Sequence, residues 1–432
     1  MSLEILDTRR KALTLNLDEQ VYGTFAEIGA GQEVARNFFT AGAASGTVAK
    51  TMSAYDMTFS NEIYGIEESG RYVSRSRLLK MLDYEYQLLE ERLNSEKYKN
   101  RTFFAFANTV TTINYNKTND PHGWLGIKFQ LEPKGEENLI IFHVRLLDTD
   151  VSLQQNVLGV LGVNLVYAAF YLNHNPRQMV ESLTDNLSKG SVEIDLIRVS
   201  GKVFEGLDDI SVNLFLIQKG FSPAAFFEPD GIARQAKDHM YKKHIMILRT
   251  RFKQKNLPDL GLFEHAVQQY KEKKAIENDA LITVVELTLN NLMSRAQEED
   301  NDFLNNIAGR TREILAMGYP VIITNFNRHH KLAKYLSMAK PLSVGITTSI
   351  NNLKYIFHSE NYTSGYTDEL LAYISDLFSR NVKLLAYPYQ DPKTKEIITS
   401  KTMPVSDEAK HLYDFLIQNG YIIDVEDVSF PE

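Results

Sequence analysis

Short apolar runs alternate with amphipathic segments along most of the chain, and this alternation predicts an α/β fold. Runs rich in Val, Ile and Leu predict β-strands at 139–147, 192–199, 212–218, 245–249, 321–326, 342–347 and 382–387. Apolar residues at helical spacing predict helices at 153–172, 176–187, 262–274, 302–317, 328–338, 368–380 and 406–418. This alternation indicates crossover connections, and hence a doubly wound, mainly parallel sheet in the C-terminal two thirds.

The first hundred residues show a different pattern. They are rich in Gly, Ala, Ser and Thr at first, and then become helical and charged, with one amphipathic helix predicted over 74–99 from a serine cap. Two strand-like runs at 102–115 and 124–131 follow, joined by a turn-forming segment, and predict a hairpin. We therefore expect a helix-rich N-terminal part over residues 1–100 and an α/β domain over 101–432, with a further division near 300.

Composition narrows the class of protein. The chain has 432 residues, no cysteine and a formal net charge of −8. The absence of cysteine excludes disulfides, thiolate metal sites and cysteine nucleophiles. The most apolar segment, 157–172, is shorter than the roughly 20 residues that cross a bilayer, and it contains Asn164, so it predicts a buried core helix. We expect a cytoplasmic protein without a nucleic-acid or membrane partner, whereas the sequence leaves homo-oligomer formation open.

The first candidate ligand site is the segment 25–39, which contains Gly29 and Gly31. A strand that ends in Glu-Ile-Gly-x-Gly and opens into a helix would bring backbone amides to a cofactor, and it resembles the first motif of class I methyltransferases. The third glycine of that motif is replaced by Glu33 or Val34. The alternative, which we favour, is a small-residue helix that packs tightly or is interrupted at these glycines.

The next segment, 41–51, combines flexible glycines with Lys50 and Thr51, which are the parts of a phosphate-binding loop. A P-loop needs glycine directly before the lysine, because that amide and the lysine bind one phosphate. Ala49 occupies this place. The sequence is therefore compatible with a looser anion-binding loop around Lys50, or with no site at all.

Two strand-to-helix turns of the predicted parallel sheet carry polar groups where such sheets bind ligands. Arg328, His329 and His330 follow one strand and begin a helix, an arrangement that suits a phosphate. Thr347 and Thr348 end the next strand, and hydroxyls in such turns are also common helix caps. We count all five as candidate ligand contacts, whereas adjacent histidines on a helix do not share a face and predict no metal site.

A local basic stretch, 234–255, interrupts the acidic chain. Arg249, Arg251 and Lys253 alternate within it, a pattern typical of the solvated face of an edge strand, where charge prevents unwanted pairing. Phosphate binding by this stretch is the alternative.

Over nearly its whole length the chain resembles an uncharacterised bacterial protein family. The resemblance lies in residues 22–36 (YGTFAEIGAGQEVAR), 47–51 (TVAKT) and 159–165 (GVLGVNL). Members carry the names nicotinate-nucleotide adenylyltransferase or TonB-dependent receptor, and the second implies a signal peptide and many alternating strands, neither of which we expect from this sequence.

The adenylyltransferase name implies a Gly-x-Phe-x-Pro-x-His-x-Gly-His loop and a later Ser-x-Thr-x-x-Arg turn. The nearest segments here are 120–123 (DPHG) and 346–349 (ITTS), and Asn351 or Asn352 stands in place of the arginine. Our leading hypothesis is a nucleotide- or phosphate-handling enzyme, with nucleotidyl transfer and Mg²⁺ bound with the nucleotide as the named expectation. The alternatives are a non-catalytic scaffold or regulatory protein, and an adenosylmethionine-dependent methyltransferase.

Overall fold

The computed structural model describes residues 5–251, 260–289, 301–358, 362 and 366–428. It divides the chain into two compact units, Met1–Ser222 and Pro223–Glu432, which we call unit 1 and unit 2. Both units combine helices with a large sheet, so the prediction of an α/β fold is confirmed.

Unit 1 contains a six-stranded sheet in the order β2-β1-β3-β4-β5-β6. Its strands are β1 (Val21–Ile28), β2 (Val48–Ser53), β3 (Thr102–Thr111), β4 (His122–Phe129), β5 (Asn138–Leu146) and β6 (Val192–Ser200). Its helices are α1 (Thr8–Asn16), α2 (Glu33–Ala41), α3 (Met57–Tyr64), α4 (Arg75–Arg92), α5 (Val151–Tyr171), α6 (Pro176–Ser182) and α7 (Asp209–Lys219). Strand β1 is parallel to both β2 and β3, whereas β3 to β6 pair antiparallel in sequence order.

Helix α5 forms the centre of the unit 1 core. Of the described helices it is the one long and apolar enough to cross a membrane, and 72% of that stretch is buried. Its Asn164 accepts a hydrogen bond from the buried Lys11 ammonium at 2.9 Å, and Lys11 also pairs with Asp185 at 2.6 Å. Burial lowers the pKa of Lys11, although Asp185 acts against that change. The polar interruption of this apolar segment is therefore a buried contact to α1, and the predicted core helix is confirmed.

Unit 2 is built on an eight-stranded sheet in the order β16-β13-β12-β9-β10-β11-β7-β8. Its strands are β7 (Ala224–Phe227), β8 (Ala233–Arg234), β9 (His244–Arg251), β10 (Leu281–Thr288), β11 (Val321–Thr324), β12 (Ser343–Ser349), β13 (Val382–Tyr387) and β16 (Ile422–Asp424), and a separate hairpin is formed by β14 (Tyr389–Gln390) and β15 (Ile397–Ile398). Its helices are α8 (Ala236–Met240), α9 (Leu260–Lys274), α10 (Asn301–Ala316), α11 (His329–Ser337), α12 (Ile350–Ile356), α13 (Tyr366–Phe378) and α14 (Asp407–Gln418).

Six strands of this sheet are parallel, from β16 to β11, and β7 pairs antiparallel with both β11 and the edge strand β8. Numbered along the chain, the six parallel strands lie in the order 3-2-1-4-5-6, which is typical of dinucleotide-binding sheets. After β9 the chain forms β10 and β11 on one side of β9. It then crosses to the other side, where β12 pairs with β9. A crevice at the carboxyl ends of β9 and β12 follows from this reversal.

Three predictions about organisation need correction. The boundary lies between Ser222 and Pro223 rather than near residue 100, because the N-terminal part supplies β1 and β2 to the sheet that continues through β6. The chain is not divided near 300, since that position lies within unit 2. The segment 212–218 is part of helix α7, which the Asp208 side chain caps at the start and a left-handed Gly220 ends.

Gly162 allows α2 to pack closely on α5, because a Cβ at this position would lie 2.2 Å from a methyl group of Val34. We expect Gly162→Ala to destabilise unit 1 by roughly 1–3 kcal/mol through overpacking. Urea unfolding followed by the fluorescence of Trp124, the only tryptophan and a buried residue of unit 1, measures this directly.

Gly309 is the matched control, because it lies within helix α10 and a Cβ there would meet nothing within 4 Å. Gly309→Ala changes only a helix of unit 2, where it adds about 0.5–1 kcal/mol of helix propensity, so the unfolding transition of unit 1 that Trp124 reports should stay as in wild type. Equal stability of wild type and Gly162→Ala would contradict close packing of α2 on α5.

Candidate functional site

The segment with Gly29 and Gly31 forms a strand-to-helix turn between β1 and α2, so our preferred interpretation of an interrupted or tightly packed helix is wrong. Both glycines have positive φ, 99° and 94°, a conformation that side chains with a Cβ rarely adopt. A Cβ at Gly29 would also lie 2.0 Å from the Val110 carbonyl oxygen of β3. Backbone geometry and close packing therefore require these glycines.

The first-turn amides of α2 are already occupied by a protein group. The Glu27 carboxylate, at the end of β1, accepts hydrogen bonds from the backbone N–H groups of Val34 (3.2 Å) and Ala35 (3.0 Å) and from the Asn108 side chain (3.3 Å). Burial raises the pKa of Glu27 to about 7, although these hydrogen bonds favour its ionised form. In an open cofactor turn of the class I methyltransferase type, such amides would face the ligand.

Lys50 lies in the edge strand β2 rather than in a loop. Its ammonium pairs with the buried Glu85 carboxylate of α4, which also accepts a hydrogen bond from the Tyr64 hydroxyl at 2.8 Å. This contact connects β2 to α4. The charge of Lys50 is compensated within unit 1, and the structure does not bring it together with the other candidate residues.

A pocket opens in unit 2 at the carboxyl ends of β9, β10 and β11, next to the point between β9 and β12 where the strand order reverses. Its lining residues come from the ends of β9 and β10, from the segment after β11, from α11, α12 and α13, and from the position of Tyr362 between α12 and α13: Arg249, Thr288, Asn327, Arg328, His329, Asn352, Tyr355, Ile356, Tyr362 and Tyr373. The space open to water-sized molecules is about 60 Å³. A water needs roughly 10–15 Å³ of such space, so a small anionic group fits.

Arg249 is the most buried cation of this pocket, with a side chain only 9% exposed. Its Nε lies 3.3 Å from the Glu286 carboxylate of β10, and its Nη2 donates to the Phe326 carbonyl oxygen at 2.6 Å. Among the described residues, its Nη1 has no hydrogen-bond partner. A buried guanidinium N–H without a partner is costly, and an anion in the pocket would satisfy it.

The Glu286 carboxylate is fully buried and is the charge partner of Arg249. Burial raises its pKa, while Arg249 and a hydrogen bond of 2.6 Å from the Thr324 hydroxyl act in the opposite direction. Protonation of this carboxyl would leave Arg249 with an uncompensated positive charge, which favours an anionic ligand.

Tyr373, a residue of α13, packs against the first turn of α11. Its hydroxyl oxygen accepts the backbone N–H groups of His329 and His330, and burial raises its pKa to about 12. Tyr373 therefore stays protonated near neutral pH and keeps its own O–H for donation. We expected the first backbone amides of α11 to bind a phosphate directly. They donate to the Tyr373 hydroxyl instead, and this hydroxyl can donate its own O–H to a ligand.

Of the predicted residues in unit 2, Arg328 and His329 line this pocket, whereas His330, Thr347 and Thr348 do not. Arg328 lines it and stacks on the Tyr362 ring at 5.5 Å, and the buried His329 lines it with Nε2 3.5 Å from the Thr348 hydroxyl. Thr347 donates to the Ile247 carbonyl oxygen of β9 at 3.1 Å, which is a contact between strands.

His330 packs edge-on against the Tyr373 ring, with 4.5 Å between ring centroids. Burial lowers its pKa to about 4, helped by nearby cations and opposed by Asp376. His330 is therefore neutral at pH 7 and adds no positive charge to the pocket.

Sequence reasoning missed Glu286 and Tyr373, and it gave phosphate binding by the stretch that contains Arg249 only as the alternative. The alternation of Arg249 with Arg251 and Lys253 predicted a solvated edge strand, but β9 lies inside the sheet between β10 and β12 and Arg249 is buried. Glu286 on β10 pairs directly with Arg249. A predicted strand at β10 would therefore have indicated a buried partner for Arg249, but we did not predict that strand.

Comparisons with known proteins identify no family for this chain. No family model and no curated protein matches it. It is similar in structure to the competence/damage inducible protein CihA from Agrobacterium tumefaciens, with 19% identity, a TM-score of 0.29, and coverage of 39% of this chain and 98% of that one. It is also similar to the competence-damaged protein (CinA) superfamily protein ECK1530/EC0983 from Escherichia coli, at 14% identity, a TM-score of 0.27, and coverage of 38% and 92%. TM-scores this low support no functional conclusion.

The described residues contain no group of three or more His, Asp or Glu side chains that could hold a metal ion. The Mg²⁺ that we expected would then be held mainly by the phosphates of a nucleotide.

Glu27 gives unit 1 a testable pH dependence. Its pKa is raised from 4.5 to about 7, so the folded state holds a proton that the unfolded state has already lost above pH 4.5. The stability of unit 1 should therefore fall as the pH rises from about 4.5 to 7, by at most roughly 3 kcal/mol from this group.

The Glu27→Gln variant lacks this titration, whereas all other titrating groups are the same in the two proteins. The free energy of unfolding of Glu27→Gln minus that of wild type should therefore increase as the pH rises from about 4.5 to 7. Urea unfolding at several pH values, followed by Trp124 fluorescence, measures the difference. A difference that stays constant with pH would show that Glu27 is not held protonated by its surroundings.

Proposed function

We propose that unit 2 binds a small phosphate-bearing ligand, with a nucleotide as the leading candidate, in the pocket at the carboxyl ends of β9, β10 and β11. The observation that carries this proposal is the buried Arg249, whose Nη1 has no partner among the described residues and whose side chain lines the pocket. Arg328 adds a second cation, and Tyr373 adds a hydroxyl donor. Guanidinium groups bind phosphate through paired N–H donors.

The sequence after β9 favours recognition of the phosphate by side chains rather than by a glycine-rich loop. Between Thr250 and Leu260 the chain contains no glycine, whereas a dinucleotide fingerprint needs glycines there for close approach of the backbone. The Tyr355 and Tyr362 rings also line the pocket, and such rings stack on nucleotide bases. A mononucleotide fits this combination better than a dinucleotide does.

Nucleotidyl transfer stays a prediction that follows from the family resemblance. Under it, Arg249 and Arg328 would stabilise charge on the transferred phosphate, and the nucleotide would bring Mg²⁺. A cytoplasmic location fits this proposal, because nucleotides are abundant there.

A thermal-shift screen tests the proposal first, with ATP, nicotinate mononucleotide, NAD, adenosylmethionine and sugar phosphates, each with and without Mg²⁺. A ligand at about 100 times its Kd stabilises the fold by roughly 2.7 kcal/mol, so the binding ligand should raise Tm by several degrees. A shift with adenosylmethionine alone would favour the methyltransferase alternative, and no shift with any ligand would favour the scaffold.

For the ligand found, we expect Arg249→Lys to raise the Kd measured by calorimetry at least about tenfold, because a charged hydrogen bond contributes about 1.5–3 kcal/mol. The lysine keeps a positive charge beside Glu286 but loses the guanidinium fork. Arg328→Ala should weaken binding in the same direction.

Lys334→Ala is the matched control, because it removes a cation from the exposed side of α11, outside the pocket lining. Its Kd should stay within about twofold of wild type, since an exposed charge at this distance is screened. Wild-type affinity in Arg249→Lys would contradict the proposed site.

A further inference from the structure

The ion pair between Arg249 and Glu286 in unit 2 has one unused hydrogen-bonding atom on each side. Among the described residues, Arg249 Nη1 and Glu286 Oε2 are buried and have no hydrogen-bond partner. The two side chains contact each other between Nε and Oε2 at 3.3 Å. A buried ion pair is well compensated only when further hydrogen bonds satisfy the remaining polar atoms of both groups. This pair is therefore open to a change of charge or to a further partner.

Only one member of the pair is accessible from the pocket at the carboxyl ends of β9, β10 and β11. Arg249 lines this pocket, whereas the fully buried Glu286 is not part of the lining. The other carboxylate oxygen, Oε1, accepts a hydrogen bond from the Thr324 hydroxyl of β11 at 2.6 Å. An anion bound to Arg249 and the Glu286 carboxylate would therefore share one guanidinium group.

The charges of the pocket do not allow a doubly charged anion beside an ionised Glu286. The lining contains two arginines, Arg249 and Arg328. They balance both negative charges of a phosphate or sulfate dianion. An ionised Glu286 then adds a third negative charge without a cation, and an uncompensated charge in a buried site is costly. A proton on Glu286 removes this excess.

The surroundings of Glu286 favour its neutral form. Burial raises the pKa of this carboxyl, whereas the Arg249 charge and the hydrogen bond from Thr324 act in the opposite direction. A bound anion cancels much of the Arg249 charge, and this removes one of the two influences that keep the carboxylate ionised. The carboxyl therefore holds a proton more strongly when the pocket is occupied, and by linkage the protonated protein holds the anion more strongly.

We propose that Glu286 takes up a proton when a phosphate-type dianion binds to Arg249, and that this residue makes the affinity of the pocket depend on pH. The proton comes from solvent and forms an O–H bond with Oε2, the carboxylate oxygen that accepts no hydrogen bond. No other bond forms or breaks. The inference rests on the proposed phosphate site, and it adds the residue that regulates the same site.

Other titratable groups face the pocket from α11 and α13. Burial lowers the pKa of His330 to about 4 and raises the pKa of Tyr373 to about 12, so neither group changes its charge between about pH 6 and 9. His329 lines the pocket, and Asp376 lies on α13. The cations of α11 and of the residue before it are Arg328, Lys331 and Lys334. All of these groups are the same in wild type and in a variant of Glu286, so a comparison of the two proteins isolates Glu286.

Isothermal titration calorimetry of the full-length protein with sodium sulfate tests this inference. Sulfate stays doubly ionised from about pH 6 to 9, so a proton taken up on binding cannot come from the ligand. Titrations in two buffers with different ionisation enthalpies, at constant ionic strength, give the number of protons taken up. Wild type should take up about one proton per sulfate at alkaline pH, and its affinity should fall there by up to about tenfold per pH unit.

Glu286→Gln is the decisive variant, because glutamine keeps an acceptor for the Thr324 hydroxyl and does not titrate. It should bind sulfate without proton uptake, and its Kd should change by less than about threefold over the same pH range. Asp376→Asn is the matched control, because it removes an exposed carboxylate of α13 that lies outside the pocket lining. This control should keep the proton uptake and the pH dependence of wild type.

The same pH dependence in Glu286→Gln as in wild type would overturn the inference, because another group would then take up the proton. Loss of the pH dependence in Asp376→Asn as well would indicate a general field effect and would also overturn it. Sulfate binding by wild type without proton uptake at any pH in this range would overturn this inference alone and leave the proposed phosphate site intact. No sulfate binding at any pH would contradict the phosphate site itself.

Infrared difference spectra of wild type make the test independent of the variant. Sulfate binding at alkaline pH should add the carbonyl band of a buried, protonated carboxyl and remove the corresponding carboxylate band. Absence of both changes would overturn the inference even if Glu286→Gln does not fold.

Discussion

Arg249 and Glu286 lie directly opposite each other on β9 and β10, two central parallel strands, with both side chains withdrawn from water. Removing one partner of such a pair leaves a buried charge, which typically costs 3–5 kcal/mol. The Glu286 carboxylate also accepts a hydrogen bond from the Thr324 hydroxyl on β11. The Arg249 guanidinium donates a hydrogen bond to the backbone carbonyl of Phe326, which follows β11. A one-residue slip would turn these groups to the other face of the sheet, so the pair fixes the register of three strands and the position from which α11 begins.

The groups that bind the helix amides at the carboxyl ends of the parallel strands differ between the two units. In unit 1 the helix amides after β1 are occupied by Glu27, so the turn with Gly29 and Gly31 is closed by the protein itself. In unit 2 the corresponding amides of α11 are used by Tyr373, which retains an O–H for donation beside Arg249. Similar strand-to-helix turns therefore differ in outcome. In unit 1 the protein's own carboxylate occupies the amides, and in unit 2 the turn borders a pocket lined by hydrogen-bond donors.

The parts of the fold that the sequence predicts are those with local signals. The long helices α5 and α10 follow from extended apolar patterns, whereas the apolar run at 212–218 is too short to distinguish strand from helix. Strand β10 was missed because Glu286 interrupts its apolar pattern, and the residue that compensates this charge lies 37 positions earlier. The role of Tyr373 was not predictable for the same reason, since its hydroxyl caps a helix that begins more than 40 residues away along the chain.

Hydrogen–deuterium exchange of the full-length protein, with and without the nucleotide that raises Tm most, tests the central claim most directly. It distinguishes the two strand-to-helix turns in one experiment. The account predicts slower exchange of backbone amides in residues 326–332 and 349–356 on ligand binding, and no change in residues 28–36. Protection confined to residues 28–36 would place the ligand at the β1–α2 turn and would contradict the assignment of the site to Arg249 and Tyr373.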